Sequence, residues 1–201
     1  GKVFQTSELP ITQPKLWSPD SPFLYDVEIE LRSNNQTVDK VKSYFGMRKI
    51  SMGSENGKAC FMLNNKPIFQ FGPLDQGFWP DGLYTAPSDD ALIFDIEQTK
   101  ALGFNMSRKH IKVEPARWYY HCDRLGLLVW QDMVNAGSDQ NLLGDDEWVK
   151  KNFLSECDHI VSNLKNHPCI VTWIAFNEGF GQYADCLLYT SPSPRDYAAS
   201  R

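Results

Sequence analysis

The feature that most constrains the fold is an alternation of short apolar runs with amphipathic segments along the second part of the chain. Four runs are short enough to be strands, and segments of helical periodicity separate them. The last run is apolar enough to be buried on both faces, as strands of parallel sheets are. Repeated strand and helix units predict a parallel β/α architecture, either a doubly wound sheet or a barrel. The four runs are residues 67–71, 104–108, 127–130 and 169–176.

Start and stop signals mark the helices between these strands. A capping serine followed by two aspartates opens the first helix, a proline opens the second, and a glycine ends each of them. A third, longer helix begins at an aspartate and is broken by a His-Pro pair. In chain order, these starts and ends are Ser88 and Gly103, Pro115 and Gly126, and Asp145 or Asp146 with His167-Pro168.

The N-terminal part of the chain has a different period. Apolar and acidic residues alternate over residues 23–31, which predicts a half-buried antiparallel strand. A turn at 33–36 and a returning strand at 38–45 would complete a hairpin. A lone hairpin is marginally stable in water, so we expect this one to belong to the end of a β-sandwich. Residues 51–59, rich in Gly, Ser and Asn, are predicted to form a linker or tight turn.

The composition argues against two classes of partner. A hydrophobic content of 42% and an aromatic content of 13% predict a packed core rather than disorder. The net charge is −5 and no basic block occurs, so nucleic acid is not an expected partner. No apolar stretch approaches the roughly 20 residues of a spanning helix, so a membrane is not expected either. The five cysteines lack metal-type spacing and are interpreted as buried free thiols, with a disulfide left open.

Both ends of the sequence bear on how it is interpreted. The first residue is Gly1 rather than Met, and we expect the native N-terminus to be missing. Residues 186–201 change in composition and lack apolar periodicity. They look like the translation of a transposase-type sequencing adaptor more than a natural Ser/Pro linker, and we exclude them from fold reasoning. The native protein is therefore expected to continue beyond Asp185.

Polar residues follow each of the four predicted parallel strands. No Gly-rich phosphate loop follows any of them, which disfavours a dinucleotide site. In a (β/α)₈ barrel the carboxyl ends of the strands carry the chemistry, so these polar groups would share one site. They are Asp75 and Gln76, then Arg108, Lys109 and His110, then Gln131 and Asp132, then Asn177 and Glu178.

Several motifs, in the same order along the chain, resemble glycoside hydrolase family 2. Residues 166–173 followed by 177–181 (Asn-Glu-Gly-Phe-Gly) resemble the strand that carries the acid/base glutamate of that family. Residues 16–19 and 45–50 are similar to its immunoglobulin-like sandwich and the strand leaving it, and 61–68 to its barrel entry. The family includes β-galactosidases, β-glucuronidases and β-mannosidases, and the resemblance covers residues 15–185.

The resemblance implies a fold and a domain plan. The fold would be the end of an immunoglobulin-like β-sandwich followed by the first four β/α units of a TIM (β/α)₈ barrel, truncated. The sandwich part would be residues 1–50, followed by the linker at 51–59 and the half-barrel at 60–185, with 186–201 not native.

The resemblance also implies a retaining exo-β-glycosidase that acts on an oligo- or polysaccharide. Glu178 would be the general acid/base, and Asn177 would hydrogen-bond the sugar hydroxyl beside the anomeric carbon. Arg108 would help to hold the second carboxylate ionised. That second carboxylate, the nucleophile, lies on a later strand in the family, so the chain alone is expected to hydrolyse nothing.

Further substrate-binding candidates are less regular. His110 is a candidate, although the commonest family pattern has a histidine three residues after the arginine and here it is two after. Asp132 would bind a sugar hydroxyl or a neighbouring side chain, and Asp75 is a sugar-hydroxyl candidate. Trp79, like its neighbour Phe78, would stack on a sugar or pack against the barrel rim. Residues 130–132 look more like some mannosidase-like members, and the 72–87 loop departs from the galactosidase type; the sugar stays open.

Other residues and functions were weighed against this interpretation. Glu114 and His121 are interpreted as structural. No metal site and no cofactor are expected, although a weakly held divalent ion stays open. One alternative function is a non-catalytic carbohydrate-binding relative, and another is a stand-alone half-barrel, which its open strand edges disfavour. The resemblance favours the periplasm or the exterior over the cytoplasm, and a homo-oligomer of the complete protein stays open.

Overall fold

The computed structural model describes residues 9–134 and 147–178. The described chain contains three sheets: an antiparallel pair β1-β2, an antiparallel trio β3-β4-β5, and a parallel sheet β6-β7-β8-β9. The strands are β1 Tyr25–Ser33, β2 Gln36–Phe45, β3 Ile50–Glu55, β4 Lys58–Leu63, β5 Lys66–Pro67, β6 Leu74–Asp75, β7 Met106–Lys109, β8 Leu128–Asp132 and β9 Ile170–Ile174. The helices are α1 Asp89–Ala101, α2 Ala116–Leu125 and α3 Glu147–Leu164.

Some predictions fall on other residues. The helix start at Asp145 or Asp146, the motif residues 179–181, Cys186 and the 186–201 segment lie outside the described residues.

The predicted N-terminal hairpin is confirmed. Strands β1 and β2 pair from Tyr25 opposite Phe45 to Ser33 opposite Gln36. The turn residues Asn34 and Asn35 have φ values of 49° and 61°, the left-handed conformation that a tight hairpin turn requires. The apolar face of β1 was predicted to be half-buried, and only its first residues, Tyr25 and Val27, are partly buried. Ile29 and Leu31, further along the same face, are 60% and 62% exposed.

Residues 51–59, predicted to be a linker or tight turn, contain a tight turn but form most of a second hairpin rather than a linker. Strands β3 and β4 pair in register from Ile50 opposite Leu63 to Glu55 opposite Lys58. Only Asn56 and Gly57 form the turn, with φ values of 51° and 77°. Gly53 lies within β3, where an added Cβ would come within 2.7 Å of the Met62 side chain. The Gly-rich composition therefore reflected close packing in a strand as well as a turn.

The parallel sheet confirms the predicted strand and helix alternation, with its strands in sequential order. The strand predicted at 67–71 is wrong, because the first parallel strand is β6. At residues 69–71 the Asn105 side chain makes hydrogen bonds that a neighbouring strand would otherwise make. Its Oδ1 accepts from the Phe71 N–H at 2.9 Å, and its Nδ2 donates to the Phe69 carbonyl at 2.8 Å. Gly72 then passes so close to the Met106 carbonyl that an added Cβ would overlap it.

The helix signals hold, with one adjustment. The Ser88 hydroxyl accepts a hydrogen bond from the Ala91 N–H at 3.2 Å and caps α1 as predicted. Gly126 ends α2 with a φ of 74°. Pro115 is the cap residue of α2 rather than its first helical residue, because its ψ of 148° is extended.

The hydrophobic core lies between the parallel sheet and its helices, and the N-terminal part of the chain enters it. Trp17 is fully buried in the same cluster as Leu92, Tyr119 and Val129. Its indole N–H donates to the Asp123 carbonyl at 2.7 Å. Trp17 therefore joins the two parts of the chain into one packed unit. Truncating a buried aromatic side chain of this size to alanine costs about 3–5 kcal/mol of stability.

A polar junction reinforces this contact. The Asp123 carboxylate is fully buried and accepts from the Tyr44 hydroxyl at 2.8 Å and from His167 Nδ1 at 2.6 Å. The Arg48 guanidinium donates to the Pro168 carbonyl at 2.8 Å and to the Ile170 carbonyl at 2.6 Å. The loop that leaves β2 is therefore hydrogen-bonded to the start of β9.

The four described cysteines are free thiols, as predicted. Cys122, Cys157 and Cys169 are buried, and Cys60 is half-buried. Burial raises the pKa of the Cys169 thiol well above its ordinary value, and the neighbouring Cys122 and Asp123 add to that shift. A buried thiol held protonated in this way is an inert structural group rather than a nucleophile.

Candidate active site

Three of the sequence-predicted site residues meet at the carboxyl edge of the parallel sheet. The Arg108 guanidinium, near the end of β7, donates to both oxygens of Asp132 at the end of β8, at 3.0 and 2.8 Å. The same guanidinium donates to Oδ1 of Asn177, after β9, at 3.0 Å. The carboxyl ends of parallel strands meet at one edge of a sheet, which is why residues so far apart in sequence converge.

The bidentate pair fixes the geometry of this edge. Arg108 and Asp132 form the planar fork that holds a guanidinium in one orientation. Asp132 is 1% exposed, and its Oδ2 also accepts from the Ile111 N–H at 3.4 Å. Two roles were predicted for Asp132, and these contacts correspond to one of them, a bond to a neighbouring side chain. A direct bond from Asp132 to a sugar stays a prediction.

Asn177 is oriented by its bond to Arg108. Because Oδ1 of Asn177 accepts from the guanidinium, the Nδ2 group of the same amide is the end that can donate to a ligand. This orientation suits the predicted role of Asn177 as a donor to a sugar hydroxyl, and that role itself stays a prediction.

Glu178 follows at once and is exposed. Its φ of 53° lies in the left-handed region, which few residues other than glycine adopt. Such conformations cost about 1–3 kcal/mol and cluster at active sites, where neighbouring contacts hold them. Glu178 thus follows the oriented Asn177 at this edge of the sheet, and its role as general acid/base stays a prediction.

His110 lies one residue before a second strained position. Its Nδ1 is 3.2 Å from the Gln76 side-chain amide, and its backbone N–H donates to the Asp75 carbonyl at 2.9 Å. Ile111 has a φ of 51°, an outlier for a β-branched residue. The Asp132 carboxylate and the Gln131 amide, which donates to the Lys112 carbonyl at 2.8 Å, hold this segment in place. The structure thus places His110 beside the first strand end.

A buried ionic cluster beneath this edge was missed by the sequence analysis. The Lys109 ammonium, 2% exposed, lies 2.5 Å from Asp75 Oδ2 and 2.9 Å from Glu114 Oε1. Lys112 binds the same Glu114 oxygen at 2.9 Å. Lys109 also lies over the Trp118 ring, 4.4 Å from its centroid. The signal available in the sequence was the arrangement of two lysines and one glutamate at 109, 112 and 114, directly after a buried strand.

Asp75 is the most exposed carboxylate of this cluster, with 35% of its side chain accessible. Its Oδ2 accepts from Lys109, and its Oδ1 accepts from the Gly77 N–H at 2.7 Å. These two donors fix the orientation of the carboxylate. A fixed, partly exposed carboxylate can accept from a sugar hydroxyl, so Asp75 stays a candidate for that role.

Trp79 packs against the hydrophobic core as a partly buried side chain. Its indole N–H is buried without a partner among the described residues. The strongly exposed aromatic rings of the same loop are Phe78 and Tyr84. Both interpretations of Trp79, sugar stacking and rim packing, were open from sequence; the packing contact is observed, and a sugar contact stays a prediction.

Residues 9–134 and 147–178 lack two features that would indicate other functions. They contain no helix that is long and apolar enough to cross a membrane. They also contain no group of three or more His, Cys, Asp or Glu side chains placed to hold a metal ion.

Comparison with protein families gives two matches. The model for glycosyl hydrolases family 2 matches residues 1–48. The model for the TIM barrel domain of glycosyl hydrolases family 2 matches residues 57–191.

Curated relatives carry related names. A β-galactosidase of Lactococcus lactis is 29% identical over 201 residues, covering 95% of this chain and 20% of the relative. A putative β-glucuronidase of Formosa agariphila is 28% identical over 178 residues, covering 85% of this chain and 16% of the relative. The chain thus spans a fifth or less of the length of these relatives.

Solved structures agree. A β-glucuronidase of Parabacteroides merdae superposes with a TM-score of 0.69 at 25% identity, covering 81% of this chain and 19% of that one. A family 2 β-galacturonidase of Eisenbergiella tayi, bound to galacturonate, superposes with a TM-score of 0.71 at 26% identity, covering 85% and 29%. The expected fold, a sandwich part followed by the first strands of a TIM barrel, is confirmed. With both of its domain models matched in order, the chain belongs to glycosyl hydrolase family 2.

Proposed function

We propose that this chain is the acid/base-bearing part of a retaining exo-β-glycosidase that removes terminal β-linked sugars. The observation that carries the proposal is the hydrogen bond from Arg108 to Asn177, which fixes the residue before Glu178 at the carboxyl edge of the sheet. Membership of a glycoside hydrolase family and relatives named as β-galactosidase and β-glucuronidase support the same reaction class.

The reaction is a double displacement. Glu178 donates its proton to the leaving oxygen while a second carboxylate attacks the anomeric carbon, and the bond to the leaving group breaks. Glu178 then takes a proton from water, which attacks the same carbon and releases the nucleophile. Retention requires the two carboxyl groups to be about 5–5.5 Å apart.

We assign the nucleophile to a glutamate outside the 201 residues of this chain. The relatives are about five times as long as the chain, which leaves room for the remaining barrel strands. Arg108 supplies positive charge at the site edge and would favour the ionised form of that glutamate. The chain by itself is therefore proposed to hydrolyse nothing.

Asn177 and Asp75 would bind the sugar. The Asn177 Nδ2 group would donate to the hydroxyl beside the anomeric carbon, and the Asp75 carboxylate would accept from another hydroxyl. Buried polar partners held in one orientation give a site its preference for one sugar over another. The sugar is to be identified by assay rather than from the relatives' names.

The test uses the protein expressed from the complete reading frame that carries this segment. A panel of 4-nitrophenyl β-glycosides is assayed first, with Glu178→Gln as the variant and Glu156→Gln, on the exposed side of α3, as the matched control. We expect kcat/KM for the preferred glycoside to fall about 10²–10⁴-fold in Glu178→Gln and to be unchanged in the control.

The mechanism has its own test. Proton NMR of the first-formed sugar is expected to show the β-anomer, which then mutarotates. Initial release of the α-anomer would replace the retaining mechanism with an inverting one. Saccharide binding without turnover, in a complete chain lacking a second glutamate at a strand end, would favour the non-catalytic carbohydrate-binding alternative.

A further inference from the structure

The loop between β6 and α1 exposes two aromatic rings that stack on each other. Phe78 and Tyr84 are 59% and 56% exposed, and their ring centroids are 4.6 Å apart with 30° between the planes. An aromatic pair left in water forgoes much of the stabilisation that burial would give. Contiguous exposed apolar surface is one of the features that mark a binding site.

The loop is held in shape from beneath by one buried ammonium group. Lys112 Nζ donates to the Gly77 carbonyl at 2.8 Å and to the Tyr84 carbonyl at 2.9 Å, so it joins both ends of the loop. Backbone bonds between Trp79 and Leu83, at 2.6 and 3.1 Å, close the loop from within. The two rings are therefore fixed before any ligand arrives, which lowers the entropy cost of binding.

The loop must also approach the ionic cluster closely. Gly77 has a φ of 67°, and an added Cβ would come within 2.5 Å of Glu114 Oε1 and 2.6 Å of Lys112 Nζ. Glycine is therefore required at this position, both for its backbone conformation and for space. The ionic cluster thus supports the rings as well as Asp75.

One ring of the pair keeps an open face. Tyr84 has Phe78 stacked on it and the Lys112 ammonium over it, 5.0 Å from the ring centroid. Phe78 is backed by Tyr84 and is otherwise largely exposed, so Phe78 is the ring that can receive a ligand.

The rings lie at the same edge of the sheet as the candidate active site. Gln76, at the start of the loop, contacts His110, and Lys112 belongs to the segment that follows β7. Arg108, four residues before Lys112, binds Asn177 beside Glu178. Residues 108–112 therefore contact both the loop and Asn177, the residue before the acid/base candidate.

We propose that Phe78, supported by Tyr84, is a stacking surface for the sugar ring on the leaving-group side of the bond that is cleaved. The proposal rests on the proposed glycosidase function. The C–H groups on one face of a pyranose carry partial positive charge and pack against the negative face of an aromatic ring. The terminal sugar would be engaged by Asn177 and Asp75, whereas rings more than half exposed at the rim suit the neighbouring sugar.

The test compares two substrates of the complete enzyme that share a terminal sugar. The terminal sugar is the one preferred in the 4-nitrophenyl panel. Lactose and methyl β-galactoside form the pair for galactose, cellobiose and methyl β-glucoside the pair for glucose, and the corresponding disaccharide and methyl glycoside serve for any other sugar. In Phe78→Ala we expect kcat/KM for the disaccharide to fall about five- to tenfold and that for the methyl glycoside to change less than twofold. Phe94→Ala is the matched control, because Phe94 is 58% exposed on α1 and is expected to leave both values unchanged.

Binding is measured separately, so that the outcome does not depend on turnover. In the Glu178→Gln background, which does not cleave the disaccharide appreciably, saturation transfer from the protein to the leaving-group ring of lactose or cellobiose is expected with Phe78 and with Phe78→Trp, and is expected to be lost with Phe78→Ala. Equal losses for disaccharide and methyl glycoside, or undiminished saturation transfer in Phe78→Ala, would overturn the stacking surface. An enzyme that binds either disaccharide through Phe78 without cleaving any glycoside would overturn the glycosidase function and leave the stacking surface standing.

Discussion

The N-terminal hairpin and the edge of the parallel sheet both pair cationic side chains with carboxylates, but in opposite surroundings. In the hairpin, Lys40 lies 2.5 Å from Glu28, with 44% and 46% of the two side chains exposed. At the sheet edge, Lys109 lies 2.9 Å from Glu114, with 2% and 3% exposed. Exposed pairs contribute about 0–1 kcal/mol, whereas breaking a buried pair leaves an uncompensated charge. Similar distances between ammonium and carboxylate therefore occur in a solvated surface pair and in a buried pair that holds neighbouring side chains in position.

The largest expected effect comes from breaking the buried pair. Lys109→Met removes the cation that Glu114 and Asp75 share, so that Lys112 alone faces two carboxylates, and we expect the free energy of unfolding to fall by about 3–5 kcal/mol. Urea denaturation followed by tryptophan fluorescence measures the change. The double variant Lys109→Met, Glu114→Gln should recover part of the loss, because it leaves one carboxylate, Asp75, and one ammonium, Lys112, in the cluster. A double variant no better than the single one would argue that packing, rather than charge, dominates.

The next effect concerns geometry at constant charge. Arg108→Lys keeps the positive charge but removes the fork that binds Asp132 and Asn177 together. Losing a charged hydrogen bond costs about 1.5–3 kcal/mol, so kcat of the complete enzyme should fall about 10- to 100-fold. Unchanged kcat in this variant would mean that the charge of Arg108 matters and its fork does not.

The pH dependence of stability tests a third case, His121, a buried base that forms no ion pair with a carboxylate among the described residues. Burial lowers the pKa of His121 below its ordinary value, and Arg124 lowers it further. The unfolded chain therefore binds more protons at this residue, so the stability contributed by neutral His121 is present above the unfolded pKa and is lost as the pH falls below it. We expect Tm to drop between about pH 7 and pH 5, and to drop less in His121→Gln. Parallel pH profiles for the two proteins would contradict this assignment.

The smallest effect is expected in the hairpin. Lys40→Ala removes the pairs with Glu28 and Glu30, and we expect the free energy of unfolding to change by less than about 1 kcal/mol. Urea denaturation at low and at high salt checks this, because any difference should shrink as salt screens the charges. A loss as large as that in Lys109→Met would remove the distinction between the two regions.

The convergence of Arg108, Asp132 and Asn177 could be anticipated from sequence. Parallel strands present their carboxyl ends at one edge, so recognising the strand and helix alternation was enough to group these residues. The contacts among them required the structure, because a polar side chain after a strand gives no sign of its partner. The arginine that binds Asp132 lies on β7, the strand next to β8, and the sequence does not show which side chain of a neighbouring strand faces Asp132.

The errors have physical causes as well. In residues 51–59, Gly53 packs against Met62 within a strand, but its residue type also suits a turn, so the segment was predicted to be a linker or tight turn rather than most of a hairpin. At 67–71, the apolar residues Phe69 and Phe71 indicated a strand, but the Asn105 side chain takes their backbone bonds. The burial of Lys109 and Lys112 could not be predicted, because lysine is rarely buried without a partner and the partner is not visible in the local pattern.

The bonds from Arg48 to the Pro168 and Ile170 carbonyls have a consequence for anyone who recombines domains in this family. They reach the start of β9, and the far end of the same strand leads to Asn177 and Glu178. Replacing the sandwich by cutting at the sequence boundary near residue 50 would remove the guanidinium and leave the start of β9 without these two hydrogen bonds. A graft intended to change substrate preference should therefore carry its own arginine, or cut upstream of residue 48.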